Sequence, residues 1–233
     1  MDAIAEAETV NSGEAVTNKG DGKYTFTMPS GKVTVTGLFT KIMGGYKDCP
    51  RDSTCPIWPY TDTNLAAWYH DGIHFCVENG LMNGYGNGKF GPNDNLTRAQ
   101  FAQILHNREG RPVVNYLLRF EDVPNGAWYT EAVRWAAAQG VVSGYGNGKF
   151  GPNDPITREQ LAVMLWRYVG SPAATEKELH FTDADKASGY ALEALYWAVE
   201  NGVVNGYGNG RLDPRGLATR AQVAQMLKNF LDK

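Results

Sequence analysis

The block Gly84-Tyr-Gly-Asn-Gly-Lys-Phe-Gly-Pro-Asn-Asp94 recurs letter for letter from Gly144 to Asp154. A third, more worn copy runs Gly206-Tyr-Gly-Asn-Gly-Arg-Leu-Asp-Pro214. Each copy is followed by a Thr-Arg-x-Gln tetrad, at Thr97 to Gln100, Thr157 to Gln160 and Thr219 to Gln222. Each is preceded by an aromatic-x-Asp step at Tyr60-Thr-Asp62, Phe120-Glu-Asp122 and Phe181-Thr-Asp183. A unit of roughly 50 residues repeated three times restricts the fold to architectures assembled from like parts. It also accounts for the excess of glycine, 27 residues in 233, against a usual share of about 7 %.

Each unit reads as two helices around a loop. The first helix is predicted to begin near Trp68, Trp128 or Tyr190. It carries a stripe at i, i+4, i+7, i+8: Trp68, Gly72, Phe75 and Cys76, then Trp128, Ala132, Trp135 and Ala136, then Tyr190, Ala194, Trp197 and Ala198. Asn79-Gly80, Gln139-Gly140 and Asn201-Gly202 should end these helices, with glycine at the C′ position. Repeated Gly-x-Gly and Gly-Pro steps then require a loop. Thr-x-x-Gln opens the second helix as a capping box, followed by the apolar residues Phe101, Ala102, Ile104 and Leu105 and their counterparts. A two-helix unit this small cannot bury its apolar faces alone, so the three should pack together. The expected fold is mainly α, a pseudo-three-fold helical body with a short β segment at the N-terminus. The boundaries read as 1–42 for the β segment, 43–57 for a linker, and 58–110, 111–170 and 171–233 for the repeats.

These motifs, recurring in order three times, resemble those of the S-layer homology (SLH) domain, which commonly occurs as three tandem copies. The resemblance covers roughly residues 58–233. It implies a non-covalent anchor that holds an exported bacterial protein to the cell wall by binding a secondary cell-wall polysaccharide, often pyruvylated, in grooves between repeats. The family tetrad is usually Thr-Arg-Ala-Glu, whereas this chain ends it in Gln100, Gln160 and Gln222. Glutamine still serves the capping box, but it supplies no carboxylate. In residues 1–42, Asp21 to Pro29 and Lys32 to Thr36 alternate with period two and read as two strands. They look like the end of a β-repeat of Gram-positive surface proteins. The chain is therefore expected to be the C-terminal piece of a longer exported protein, or to start late, because no signal peptide precedes it.

Arg98, Arg158 and Arg220 each follow an N-cap threonine, where the helix dipole disfavours a cation by roughly 0.3–1 kcal/mol. Recurrence in all three copies points to a compensating negative charge. One candidate is an acidic ligand group gripped by the guanidinium and first-turn amides; another is an internal pair with Asp62, Asp122 or Asp183, or stacking on a ring. The loop residues Gly84, Tyr85, Gly86 and Asn87, with Gly144, Tyr145, Gly146 and Asn147 and with Gly206, Tyr207, Gly208 and Asn209, could line a sugar. Phe90 and Phe150 are better suited to the core. Trp68, Trp128 and Tyr190 suit either a carbohydrate face or a groove wall. The third repeat, with Tyr190, Leu212 and Asp213-Pro-Arg-Gly216 departing from the other copies, is the one least expected to hold a working groove.

Cys49 and Cys55 flank five residues of a Pro-containing linker, and in an exported chain they are candidates for a local disulfide. A metal there would need two more ligands from elsewhere. His70 and His74 have metal-binding i, i+4 spacing, but no other copy repeats them and no third ligand is evident nearby. Cys76 stands where the other copies have alanine and reads as core. The Asx alternation of a calcium loop is absent. No metal and no cofactor are expected, and no nucleophile, base and orienting group assemble into a catalytic signature. Charge, 22 basic against 25 acidic residues, lacks the basic excess of a nucleic-acid binder, and no apolar run would span a membrane. The sequence thus points to an extracellular wall-binding module. The competing expectation is a protein–protein assembly module of a surface layer, self-association included, that binds no glycan.

Overall fold

A computed structural model describes residues 17–18, 24–25 and 48–232. The chain divides into two units, Met1–Gly45 and Tyr46–Lys233. In the first, strands β1 (Thr17–Asn18) and β2 (Tyr24–Thr25) pair antiparallel, Thr17 opposite Thr25 and Asn18 opposite Tyr24. Tyr24–Thr25 falls inside the first predicted strand, and its partner lies upstream of it. The predicted second strand, Lys32 to Thr36, lies outside the described residues.

Among the described residues the second unit holds six α-helices: α1 (His70–Glu78), α2 (Arg98–Arg108), α3 (Thr130–Ala138), α4 (Arg158–Tyr168), α5 (Leu192–Glu200) and α6 (Arg220–Leu231). The first helix of each repeat starts two residues later than predicted, which leaves Trp68, Trp128 and Tyr190 ahead of the helix. Gly80, Gly140 and Gly202 follow the C-caps with φ of 65°, 70° and 63°, the left-handed conformation that glycine adopts without strain. All three capping boxes form with both arms, Thr97 with Gln100, Thr157 with Gln160 and Thr219 with Gln222.

The principal helix contacts cross the repeat boundaries: α2 packs on α3, α4 on α5, and α6 returns to α1. This closes the three repeats into a ring. On its pseudo-three-fold axis, the Leu96 N–H donates to the Ala218 carbonyl (3.0 Å), Ala218 to Ile156 (2.9 Å), and Ile156 back to Leu96 (2.8 Å). These three side chains are fully buried, so the axis is an apolar plug tied by a closed triangle of peptide hydrogen bonds. Phe90, Phe150 and Leu212 are buried beneath the glycine-rich loops, and Trp135 and Trp197 lie in the core between helices. Trp68 and Trp128, predicted to share the apolar stripe, are 63 % and 62 % exposed. With the helix starting after them, their side chains are carried off the packed face.

The seam between α1 and α6 is the tightest crossing. A Cβ placed on Gly72 would lie 2.7 Å from the Gln225 backbone nitrogen, so glycine lets the two backbones meet. Ala132 and Ala194 fill the equivalent positions elsewhere. Gly72→Ala should therefore separate α1 from α6 and destabilise the protein by about 1–3 kcal/mol, the usual cost of overpacking, measured as a lower Tm and urea midpoint.

Candidate functional site

Each of Arg98, Arg158 and Arg220 leaves its own repeat and enters the glycine-rich loop of another. Arg98 Nε donates to the Phe150 carbonyl (2.9 Å), Arg158 Nε to Leu212 (2.8 Å) and Arg220 Nε to Phe90 (2.8 Å). Arg158 Nη2 also reaches the Asn205 carbonyl and Arg220 Nη2 the Asn83 carbonyl, both at 2.7 Å. One guanidinium face lies under a tyrosine, Tyr145 at 4.6 Å from Arg98, Tyr207 at 4.7 Å from Arg158 and Tyr85 at 4.8 Å from Arg220. The three arginines are only 6 %, 3 % and 5 % exposed. Burial pushes each guanidinium pKa down, while the covering tyrosine and nearby carboxylates oppose that shift.

Asp62, Asp122 and Asp183 complete the arrangement from the other side. Their carboxylates accept pairs of loop amides: Asp62 from Phe90 and Gly91, Asp122 from Phe150 and Gly151, and Asp183 from Leu212 and Asp213, at 2.8–3.0 Å. The residue whose N–H meets the aspartate is the one whose carbonyl meets the arginine. The expected direct pairing of arginine with these aspartates is thus replaced by a relay through one loop residue. The first-turn amides are also engaged. Arg98 N–H donates to the Asp154 carbonyl, Ala99 N–H to the Pro152 carbonyl and Gln100 N–H to Thr97 Oγ1; α4 and α6 repeat the pattern. The expectation that these amides would grip an acidic ligand is corrected accordingly, because another repeat satisfies the first two and the N-cap threonine the third.

A second set of carboxylates, not anticipated as partners of the arginines, lies beside them. Asp94 and Asp154 each accept the hydroxyl of the loop tyrosine, Tyr85 or Tyr145, at 2.9 Å, and interact with Arg220 and Arg98. In the third repeat, glycine and aspartate trade places. Asp213 stands where the others have Gly91 and Gly151, taking φ of 52°, and Gly216 stands where they have aspartate. The Asp213 carboxylate fills the space next to Gly216 and acts on Arg158. Asp213-Pro-Arg-Gly, predicted to mark a worn repeat, therefore keeps the acid beside the arginine. The paired exchange is the sequence signal that could have disclosed this.

Large aromatic side chains are exposed in two recurrent sets. Trp68, Trp128 and Tyr190 all stand two residues before a first helix, with Tyr190 60 % exposed. Tyr85, Tyr145 and Tyr207 expose nearly half of their surface. Tyr190 interacts electrostatically with Arg98 and Tyr145, so residues from all three repeats come together around one arginine. Its hydroxyl bonds to the buried Glu159 (3.1 Å), which also accepts from Ser188. Burial first, and Glu159 second, raise the Tyr190 pKa to about 12. Glu159, alanine in the other tetrads, escaped the sequence reading.

One cysteine expectation fails, that of the disulfide, and the other, of Cys76 in the core, holds. Cys49 and Cys55 are free thiols rather than a disulfide, and Cys76 is a buried thiol in the core. The Cys49 and Cys55 sulfurs lie together with ring nitrogens of His70 and His74, a juxtaposition of the two pairs that the sequence did not reveal.

Because Arg158 donates to the buried Leu212 carbonyl and the part-buried Asn205 carbonyl, Arg158→Ala should destabilise the fold by about 3 kcal/mol, since hydrogen bonds to charged groups contribute about 1.5–3 kcal/mol each. A urea titration measures it. Asp183 supplies a pH signature. Burial alone would raise its pKa, but the Leu212 and Asp213 amides and Arg211 bring it below the ordinary 3.8. Its contribution is therefore complete above the unfolded value near 3.8 and is lost as pH falls through the lower folded value. Asp183→Asn should lower stability at pH 7 and flatten its acid dependence.

Residues 59–102, 119–162 and 180–224 match the S-layer homology domain, together more than half of the chain. The S-layer protein sap of Bacillus anthracis is 31 % identical over 210 residues, which take in 84 % of this chain and 24 % of that protein. The cellulosome-anchoring protein of Acetivibrio thermocellus is 25 % identical over 159 residues, 66 % of this chain and 36 % of the relative. An endoglucanase of Bacillus sp. (strain KSM-635) is 29 % identical over 187 residues, 78 % of this chain but 20 % of the enzyme. The chain thus spans about a fifth to a third of the length of these relatives. Since the three matched stretches coincide with the three structural repeats, the chain belongs to the S-layer homology family.

Proposed function

We propose that this chain is a non-catalytic cell-wall anchoring module that binds an anionic secondary cell-wall polysaccharide, with pyruvylated residues as the acidic groups, and tethers an exported protein at the bacterial surface. The observation that carries this reading is the triple recurrence of a large ring, Trp68, Trp128 or Tyr190, that leaves 63 %, 62 % and 60 % of its surface in water just ahead of a first helix. The tyrosines Tyr85, Tyr145 and Tyr207, with Gly84, Gly86 and Asn87 and their counterparts Gly144, Gly146, Asn147, Gly206, Gly208 and Asn209, offer the adjoining sugar-facing surface. Arg98, Arg158 and Arg220 put a positive charge behind each tyrosine and support an acidic polymer. Asp62, Asp122 and Asp183 act through the loop that they hold. Relatives named for S-layers and for cellulosome anchoring support the surface location.

Three sites on one body gain avidity on a repeating polymer, by about 10²–10⁴ when the sites engage together. The double variant Trp68→Ala/Trp128→Ala should retain its Tm and lose about 10²-fold or more in affinity for purified sacculi. Acid removal of the wall polysaccharide should abolish retention of the unaltered chain, and a pyruvylated N-acetylmannosamine should compete. Undiminished retention on stripped sacculi would favour protein–protein assembly instead.

A further inference from the structure

The linker ahead of the first repeat and helix α1 bring two cysteines and two histidines into one cluster. The sulfurs of Cys49 and Cys55 and one ring nitrogen each from His70 and His74 lie within 4.8 Å of one another. Cys55 Sγ is 3.5 Å from His70 Nε2 and 3.7 Å from His74 Nδ1. A tetrahedral zinc ion with bonds of about 2.0–2.3 Å spaces its sulfur and nitrogen ligands by roughly 3.5 Å. The separations around Cys55 are thus already those of a zinc-sized centre.

The far nitrogens of the two imidazoles are engaged in a way that packing alone does not require. His70 Nδ1 is 2.7 Å from Asp71 Oδ1, and His74 Nε2 is 3.5 Å from Glu78 Oε2. Each ring thereby turns one nitrogen to a carboxylate and the other to the sulfurs, the outer-shell arrangement that orients metal-ligating histidines. The Arg51 amide donates to Cys49 Sγ at 3.4 Å, a contact that suits a thiolate. Cys55, His70 and His74 are buried, and Cys49 is half-buried at the rim, which leaves a path for an ion.

The repeats also show what such a centre would replace. At the position of His74, the second repeat has Arg134, whose Nη1 donates to the Tyr116 carbonyl of its own preceding linker (2.8 Å). The third repeat ties its linker through Thr175 to Glu200 and Lys177 to Glu193. Every first helix therefore fastens the segment that leads into it, and the first repeat does so with the Cys/His cluster. We infer that Cys49, Cys55, His70 and His74 form a structural zinc(II) site that staples the linker stretch 49–57 to α1. Two thiolates and two imidazoles in a closed tetrahedral set select zinc over hard cations and leave no open position for catalysis.

The test uses the full chain isolated without reductant in zinc-supplemented medium. Native mass spectrometry should find one zinc per chain with all three cysteines reduced. Cobalt(II) exchanged into the site should give the intense visible bands of a tetrahedral thiolate complex, and a chelator should lower the Tm of the unaltered protein. Cys55→Ser should weaken zinc binding by at least about 100-fold, beyond the 10–100-fold typical of an outer-shell change such as Asp71→Asn. Cys76→Ala, matching the alanines of the other repeats, should keep the full zinc complement. Should Cys55→Ser fail to fold, the cobalt spectrum and chelator melt of the unaltered chain decide alone. A Cys49–Cys55 disulfide with no zinc in the isolated chain, a cobalt spectrum without thiolate bands, or undiminished zinc in Cys55→Ser would overturn the assignment.

Discussion

The body is held by one interaction made three times, in which an arginine from one repeat and an aspartate from another grasp the same loop residue. The aspartate accepts its amide, the arginine donates to its carbonyl, and the glycines around it let the loop approach closely enough for both. Around this contact the helix N-terminus is capped, the phenylalanine or leucine is driven into the core, and the tyrosine is laid across the guanidinium face. A cation at a helix N-terminus, unfavourable in isolation, is stable here because carbonyl oxygens and carboxylates from other parts of the chain surround it.

This arrangement separates two tasks that the sequence presents together. The recurrent polar residues Arg98, Arg158, Arg220, Asp62, Asp122 and Asp183 hold the loops by hydrogen bonds, and the large side chains left exposed are aromatic rings. A stability effect of substituting the arginines is therefore distinct from an effect on binding, whereas the exposed indoles can be removed with little consequence for packing. The three inter-repeat contacts also differ from one another. Glu159 and Tyr190 add an acid and a phenol to one of them, while the equivalents in the other two repeats are alanine and tryptophan.

The fold was largely legible in the sequence because its determinants are local. The capping boxes, the C′ glycines and the apolar spacing of the second helices depend on residues within a few positions of one another, and all appear where expected. What the sequence hid is relational. Nothing local says that Arg98 serves the loop at Phe150 rather than its own, or that α6 closes onto α1. The same blindness split the Cys/His cluster, since the cysteine pair and the histidine pair each lacked partners when read alone. Their convergence needs the linker to fold back on α1. The exchange of Gly91 and Asp94 for Asp213 and Gly216 is an intermediate case, visible as two compensating letters once the shared carboxylate position is known.

Closure of the ring at α1 and α6 has a mechanical consequence. In an open solenoid a terminal repeat can peel away while its neighbours stay folded. Here the last helix is wedged against the first, with Gly72 letting them interlock, so releasing either end removes packing from both. Force transmitted through residues just ahead of α1 would arrive at this seam and be resisted by the whole circle at once. Such a body would yield in a single cooperative rupture rather than one repeat at a time.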